Sequence, residues 1–229
     1  MKLLYVFPHP DDESFGPALA ISRQVRDGHQ VHLLTLTRGG ATRERERLHL
    51  SIDEMGEVRV REMARVERVL SLASMEVLDY PDGDLDRVNP LVLEQEISGR
   101  ILSVDPDVIV TYAVHGISGH PDHLVCHAAV KGAFAATAER RRRLAFFTLA
   151  PTEEPETVPL RTSRVDQIGA AIEIDERDVD TATRALDCYE TYRFTIDRHD
   201  PLRRVGRTVV FELWRETHPI PLRDLTELL

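Results

Sequence analysis

Cysteine is scarce in this chain. Only Cys126 and Cys188 occur among 229 residues, so there is no disulfide framework and no Cys-x-x-Cys pair for redox or thiolate chemistry. Both read as small core residues. A basic excess is missing too: 29 Lys and Arg stand against 39 Asp and Glu, a net charge of −10. A surface of that sign does not track phosphates, which excludes nucleic acid as the expected partner. The amino terminus lacks a basic segment followed by an apolar core of about 7–15 residues, because Pro8-His9 interrupts the opening run. No membrane association and a cytoplasmic location are therefore expected. No internal repeat is visible. The first apolar run is not followed by Gly-x-Gly-x-x-Gly, the turn that cradles phosphates in dinucleotide-binding folds.

What is present suffices for one core. Hydrophobic residues make up 42% of the chain, and its length fits a single α/β domain over 1–229. Strand-like stretches are expected at 2–7, 30–37, 75–80, 107–112, 144–149, 167–174 and 208–214. Helical spacing is expected at 17–27, 57–72, 90–102, 120–138 and 176–192. The alternation implies a Rossmann-like, mostly parallel sheet flanked by helices, with a core over 1–149 and a C-terminal extension, 150–229, completing sheet and pocket. Residues 38–56 are long and charged. They read either as a lid or as a solvated segment with a short helix over 43–47. The basic run 139–143 reads as a solvated helix terminus, and 150–159, with three prolines, as a surface connection.

Chemistry concentrates where strands end. Val6-Phe7-Pro8-His9-Pro10-Asp11-Asp12-Glu13 places one imidazole and three carboxylates after the first strand, at the sheet edge where open α/β folds bind ligands. A second stretch, Gly116-Ile117-Ser118-Gly119-His120-Pro121-Asp122-His123, follows the apolar run 108–112. His9 and Asp12, three apart, can aim at one point, and His123 supplies a third ligand. Three protein ligands with an open position describe a catalytic zinc site, whereas a structural site is closed by four. Asp11 is left free as a base toward the metal-bound water. Taken singly, an Asp-Asp pair is an ordinary helix cap and turn; two His/Asp clusters at strand ends of one chain are not. His127, one turn beyond His123, is expected in the core or at the surface.

His9-Pro10-Asp11-Asp12-Glu13 and Gly119-His120-Pro121-Asp122-His123, in this order and setting, resemble the PIG-L/LmbE-like family of zinc-dependent N-acyl-sugar deacetylases. The likeness runs to about residue 138, through Thr37-Arg38-Gly39, Arg59-Val60-Arg61-Glu62 and Tyr80-Pro81-Asp82-Gly83. It implies an enzyme that removes an acetyl group from an N-acetylated amino sugar or its glycoside, with Zn2+ or another divalent first-row metal on His9, Asp12 and His123. Asp11 is then the base, His120 stabilises the oxyanion, and Asp122 orients the His120 imidazole. Arg59 and Asp82 bind the sugar. The alternative for Arg59 and Glu62 is an ordinary surface ion pair, and for Asp82 a plain turn former. The opening also looks like bacillithiol-type deacetylases acting on an N-acetylglucosaminyl malate.

Departures from the family pattern bear on substrate. Gly40 and Thr42 stand where Glu and Gly are usual, Ser118 where some members have Tyr, and His115 where Asn or Asp is usual. Tyr189-Glu190-Thr191-Tyr192 replaces a late His-x-Ser/Thr-Gln. Two other readings are a metal-dependent phosphoesterase, which in its two-metal form needs a further carboxylate-rich site, and a non-catalytic sugar- or nucleotide-binding module. A small molecule is the expected partner, and a homo-oligomer is left open.

Overall fold

The computed structural model describes residues 1–137, 141–152 and 159–229. In chain order its elements are β1 (Lys2–Phe7), α1 (Pro17–Arg26), β2 (Gln30–Thr37), α2 (Glu44–Arg47), α3 (Ile52–Leu70), β3 (Ser74–Tyr80), α4 (Pro90–Val104), β4 (Val108–Tyr112), α5 (Pro121–Ala136), β5 (Arg143–Thr148), β6 (Ala170–Glu173), α6 (Glu176–Asp187), α7 (Arg193–His199), α8 (Pro201–Val205) and β7 (Thr208–Leu213). The seven strands form one sheet in the order β3-β2-β1-β4-β5-β7-β6. β3 through β5 run parallel, while β7 pairs antiparallel with both β5 and β6.

β1 shows why the sheet is buried on both faces. Leu3, Tyr5 and Phe7 point into one apolar cluster with α1, α3 and α6 residues, and Leu4 and Val6 into another with α4 and α5 residues. Successive side chains of a strand alternate faces, so a continuous apolar run implies helices on each side. The chain moves outward from β1 to β2 and β3, then returns to β4 and continues outward to β5. The reversal leaves a crevice at the carboxyl ends of β1 and β4, where such folds place ligands.

Several boundaries differ from the sequence expectation. α3 starts five residues earlier than 57, capped by Ser51, whose Oγ accepts from Glu54 N while Glu54 accepts from Ser51 N. The 38–56 stretch is therefore no long loop: it holds the single turn α2, with Arg47 paired to Glu44, and the first turn of α3. The helix expected over 176–192 breaks after Asp187, and α7 and α8 follow it. Among the described residues of the basic run only Arg141 is exposed. Arg142 keeps 6% side-chain exposure and donates to Thr137 O at the end of α5, and Arg143 is buried, bonded to Glu216 and to the Leu225 and Glu227 carbonyls. Residues 139–140 of that stretch and 153–158 of the expected surface connection lie outside the described residues. No helix among the described residues is long and apolar enough to cross a membrane.

Candidate metal centre

After β1 the chain turns sharply. Asp11 adopts a positive φ of 85°, a region that costs a non-glycine residue strain, and its carbonyl accepts from Ser14 N and Phe15 N. The turn sends Asp11 and Asp12 different ways. Asp12 folds back so that Oδ2 accepts from His9 N at 2.8 Å and stands 3.3 Å from His9 Nδ1. Its Oδ1 accepts from the Tyr112 hydroxyl at 2.8 Å and lies 3.3 Å from His123 Nε2. Asp11 instead takes Arg59 Nη2 at 2.8 Å.

The second cluster arrives from the β4–α5 connection. Gly116, at φ 62°, leaves no room for a side chain: a Cβ would meet His123 Cβ at 2.8 Å. Its carbonyl lies 2.9 Å from His123 Nδ1, and Tyr112 stacks on the His123 ring with centroids 4.4 Å apart. His120 caps α5 and accepts from Asp122 N on Nδ1 at 3.2 Å. The Asp122 carboxylate does not reach the His120 ring as expected. It lies 3.0 Å from His9 Nε2 and accepts from Gly83 N and Leu85 N.

Both metal-motif histidines are thus tied by one ring nitrogen, with the other turned toward Asp12. A carboxylate holding two backbone donors can only accept from His9 Nε2, and a carbonyl can only accept from His123 Nδ1. Carboxylate–histidine and carbonyl–histidine pairs of this kind orient metal ligands. The 3.3 Å separations from Asp12 to His9 and His123 exceed a good N–H···O bond. They fall on different Asp12 oxygens, Oδ2 for His9 and Oδ1 for His123, and each pair taken singly has the roughly 3.3 Å spacing of two donors bound about 2.0–2.1 Å from a tetrahedral ion. The donor set fits a divalent cation. Among the described residues, the groups whose donor atoms all lie within 4.8 Å of one another are His9, His120 and His123, and His9, Asp82 and Asp122; the expected ligand Asp12 stands in neither.

Burial works against charge on His9, but the Asp12 and Asp122 carboxylates outweigh it and raise its imidazole to about 10. Burial pushes Asp12 up, and His123 and His9 more than reverse this, leaving it well below the usual carboxylate range. Asp11 is raised to about 6 by burial, against the pull of Arg59. Burial, followed by His9 and His123, lowers His120. Glu13, fully buried, is raised to about 7 by burial, although Ser14 and Tyr189 donate to it.

Arg59 and Glu62 are not a surface ion pair. Both are 2% exposed; Arg59 holds Asp11 and Pro10 O under the Tyr192 ring, and Glu62 takes Thr191 N and Oγ1. Asp82 accepts from Ala41 N at 2.7 Å and faces His9. His127 is buried against the Tyr112 carbonyl. Gly40 has no space for the usual Glu, since a Cβ would meet Ile52 O at 2.3 Å. A cavity of about 360 Å³ covers the cluster, lined by His9, Asp11, Asp12, His120 and His123, by Arg59, Asp82 and Ser118, and by Tyr192 and residues of α7 and α8. His115 is not in its wall. Sequence reasoning missed Tyr112 as the donor to Asp12, and missed Tyr189, Thr191 and Tyr192 as partners of Glu13, Glu62 and Arg59.

Comparison with known proteins follows this geometry. A family profile described as PIG-L, GlcNAc-PI de-N-acetylase, matches residues 4–134. The 1D-myo-inositol 2-acetamido-2-deoxy-alpha-D-glucopyranoside deacetylase of Kineococcus radiotolerans is 34% identical over 164 residues, covering 60% of this chain and 45% of that one. The chain spans about half the length of the curated relatives it matches. In three dimensions the zinc-inhibited form of teicoplanin deacetylase Orf2 superposes with a TM-score of 0.73 at 16% identity, over 93% of this chain and 97% of that one. The 4-carboxy-2-hydroxymuconate hydratase GalB of Pseudomonas putida shares the fold at 15% identity and a TM-score of 0.69, covering 96% of this chain and 99% of that one. The fold alone does not select the reaction.

Proposed function

The chain belongs to the PIG-L family of de-N-acetylases, and from that membership we propose that it is a zinc-dependent amide hydrolase that deacetylates an N-acetylated amino sugar or its glycoside. One observation carries the reading. His9 Nδ1 stands 3.3 Å from Asp12 Oδ2 and His123 Nε2 3.3 Å from Asp12 Oδ1, their other ring nitrogens are tied, and Asp11, held by Arg59, lines the same cavity.

His9, Asp12 and His123 would hold the ion, and a divalent cation there supplies acidification of a water and polarisation of the amide carbonyl. Asp11 accepts the proton of the attacking water and returns it to the leaving amine. Its carboxyl, at about 6, is ionised at neutral pH yet basic enough for general base work. His120 accepts from Asp122 N on Nδ1, so its neutral form carries the proton on Nε2 and donates to the developing oxyanion. Such a donor contributes about 2.7–4 kcal/mol. Asp122 acts through His9, fixing its tautomer. Asp82 accepts from sugar hydroxyls, and Arg59 holds Asp11 while forming part of the floor under the sugar.

The test is amine release from N-acetylglucosamine and its glycosides by metal-stripped protein, zinc-restored protein and Asp11→Asn. Turnover that returns with zinc and falls by about 10²–10⁴ in the variant, at unchanged zinc content, is the expected outcome. Equal sugar binding with and without zinc, and no amine released, would replace the hydrolase by a binding module.

A further inference from the structure

The cavity has two unlike halves, and strand order separates them. Gly39, Ala41 and Thr42 follow β2 and Asp82 follows β3, so the polar side chains of Thr42 and Asp82 stand on the β2–β3 side of the β1–β4 crevice, beside the small Gly39 and Ala41. On the β5 side apolar side chains predominate, with Thr195 and His199 of α7 also in the cavity lining. Phe147 and Leu149, 2% and 4% exposed, come from the end of β5, joined by Ile117, Leu160, Val205 and Phe15. Val205 and Phe147 close around Gly16, where a Cβ would meet them at 2.8 and 2.7 Å, so α8 is seated against the strand end. Arg204 also borders this half, and its guanidinium donates to Ala150 O.

An amide whose carbonyl sits at His9, Asp12 and His123 has two substituents leaving in opposite directions. The sugar requires hydroxyl partners and takes the β2–β3 side, where Asp82 stands. The acyl chain is then directed to the β5 side. Resting on the deacylase reading above, we propose that the preferred substrates carry a linear acyl group longer than acetyl, seated against Phe147, Leu149 and Val205. A methyl group alone leaves the half-buried Phe15, Leu160 and Val205 of that wall facing water. Each methylene buried against it raises transition-state binding about fourfold. A hydrophobic aglycone, by contrast, is joined through the sugar and starts from the polar half.

The experiment measures kcat/KM for amine release by zinc-restored protein on N-acetyl-, N-butanoyl-, N-hexanoyl- and N-octanoylglucosamine, with the octyl glycoside of N-acetylglucosamine in parallel. The expected result is a rise of about fourfold per methylene until the half is filled. Val205→Trp and Leu160→Trp should each lower the hexanoyl-to-acetyl ratio roughly tenfold or more, as two buried methylenes are displaced. The ratio is taken within each variant, so a loss of folded protein cancels. Rates that are flat or falling with acyl length would overturn the proposal while leaving a deacetylase. A gain confined to the octyl glycoside would overturn it in favour of the aglycone. No amine from any substrate, acetyl included, would remove the deacylase reading itself.

Discussion

Tyr112 supplies what no local motif announces: a hydroxyl on Asp12 Oδ1 and a ring stacked on His123. Tyr112→Phe keeps the ring and deletes the donor, so the ligand carboxylate loses its fixed orientation while the core stays filled. Removing such an outer partner typically costs about 10–100-fold in metal affinity, and chelator competition with zinc should show a weakening of that order at little change in thermal stability. An unchanged affinity would mean that His9 N and the two imidazoles hold Asp12 unaided. The same contrast explains which residues were legible. His9, Asp11, Asp12, His120 and His123 lie in two short motifs whose spacing carries their chemistry. Several partners of those residues come from 48 to 113 positions away, as in Arg59 with Asp11, Tyr112 with Asp12 and Asp122 with His9. No periodicity encodes such distances, so Asp122 was matched to its neighbour His120 instead of to His9. Three-residue spacing also allows Arg59 and Glu62 the alternative of a surface pair; their burial and the tail residues Thr191 and Tyr192 exclude it.

At the scale of elements, the parallel strands were readable because each is a short apolar run between breakers, and β1 and β2 match their expected bounds. α3 was placed too late because its first turn has no apolar face: Ile52, Asp53 and Glu54 are exposed. Yet Ser51-Ile52-Asp53-Glu54 is a capping-box pattern, and that signal stood in the sequence. Ser51→Ala removes the acceptor for Glu54 N and should cost about 1 kcal/mol, a fall in Tm of roughly 2–4 °C for a chain of this size. No change in Tm would show that packing of Met55, Met63 and Val66 sets the start of the helix without the cap. α7 and α8 were not legible at all. Helices of seven and five residues are too short to be stable on their own, and Pro201 separates them; they exist because Ile196 and Val205 pack on the main core.

The whole molecule is closed by its last third. β7 and β6 add antiparallel pairings beyond β5, and the final turns are tied back by Leu222, bonded to Gly169 and Ala171, and by the buried Arg143. It donates to Leu225 O and Glu227 O and forks onto Glu216. Partial burial pushes the Glu216 carboxyl up, but the Arg143 guanidinium more than offsets that and leaves it below its ordinary 4.5. A carboxyl with a lowered folded-state pKa contributes stability above its unfolded value and loses it as pH falls through the folded one. The contribution is therefore complete at pH 7 and disappears with acid below 4.5. Glu216 keeps 26% side-chain exposure, so solvent screens the pair, and about 1–2 kcal/mol is expected rather than the larger cost of breaking a fully buried one. Thermal melts of the protein and of Glu216→Gln should differ by a few degrees at neutral pH, with the variant lower, and the two curves should converge once the wild-type carboxyl is protonated. A gap that persisted undiminished in acid would assign the loss to packing around Arg143 instead of to charge.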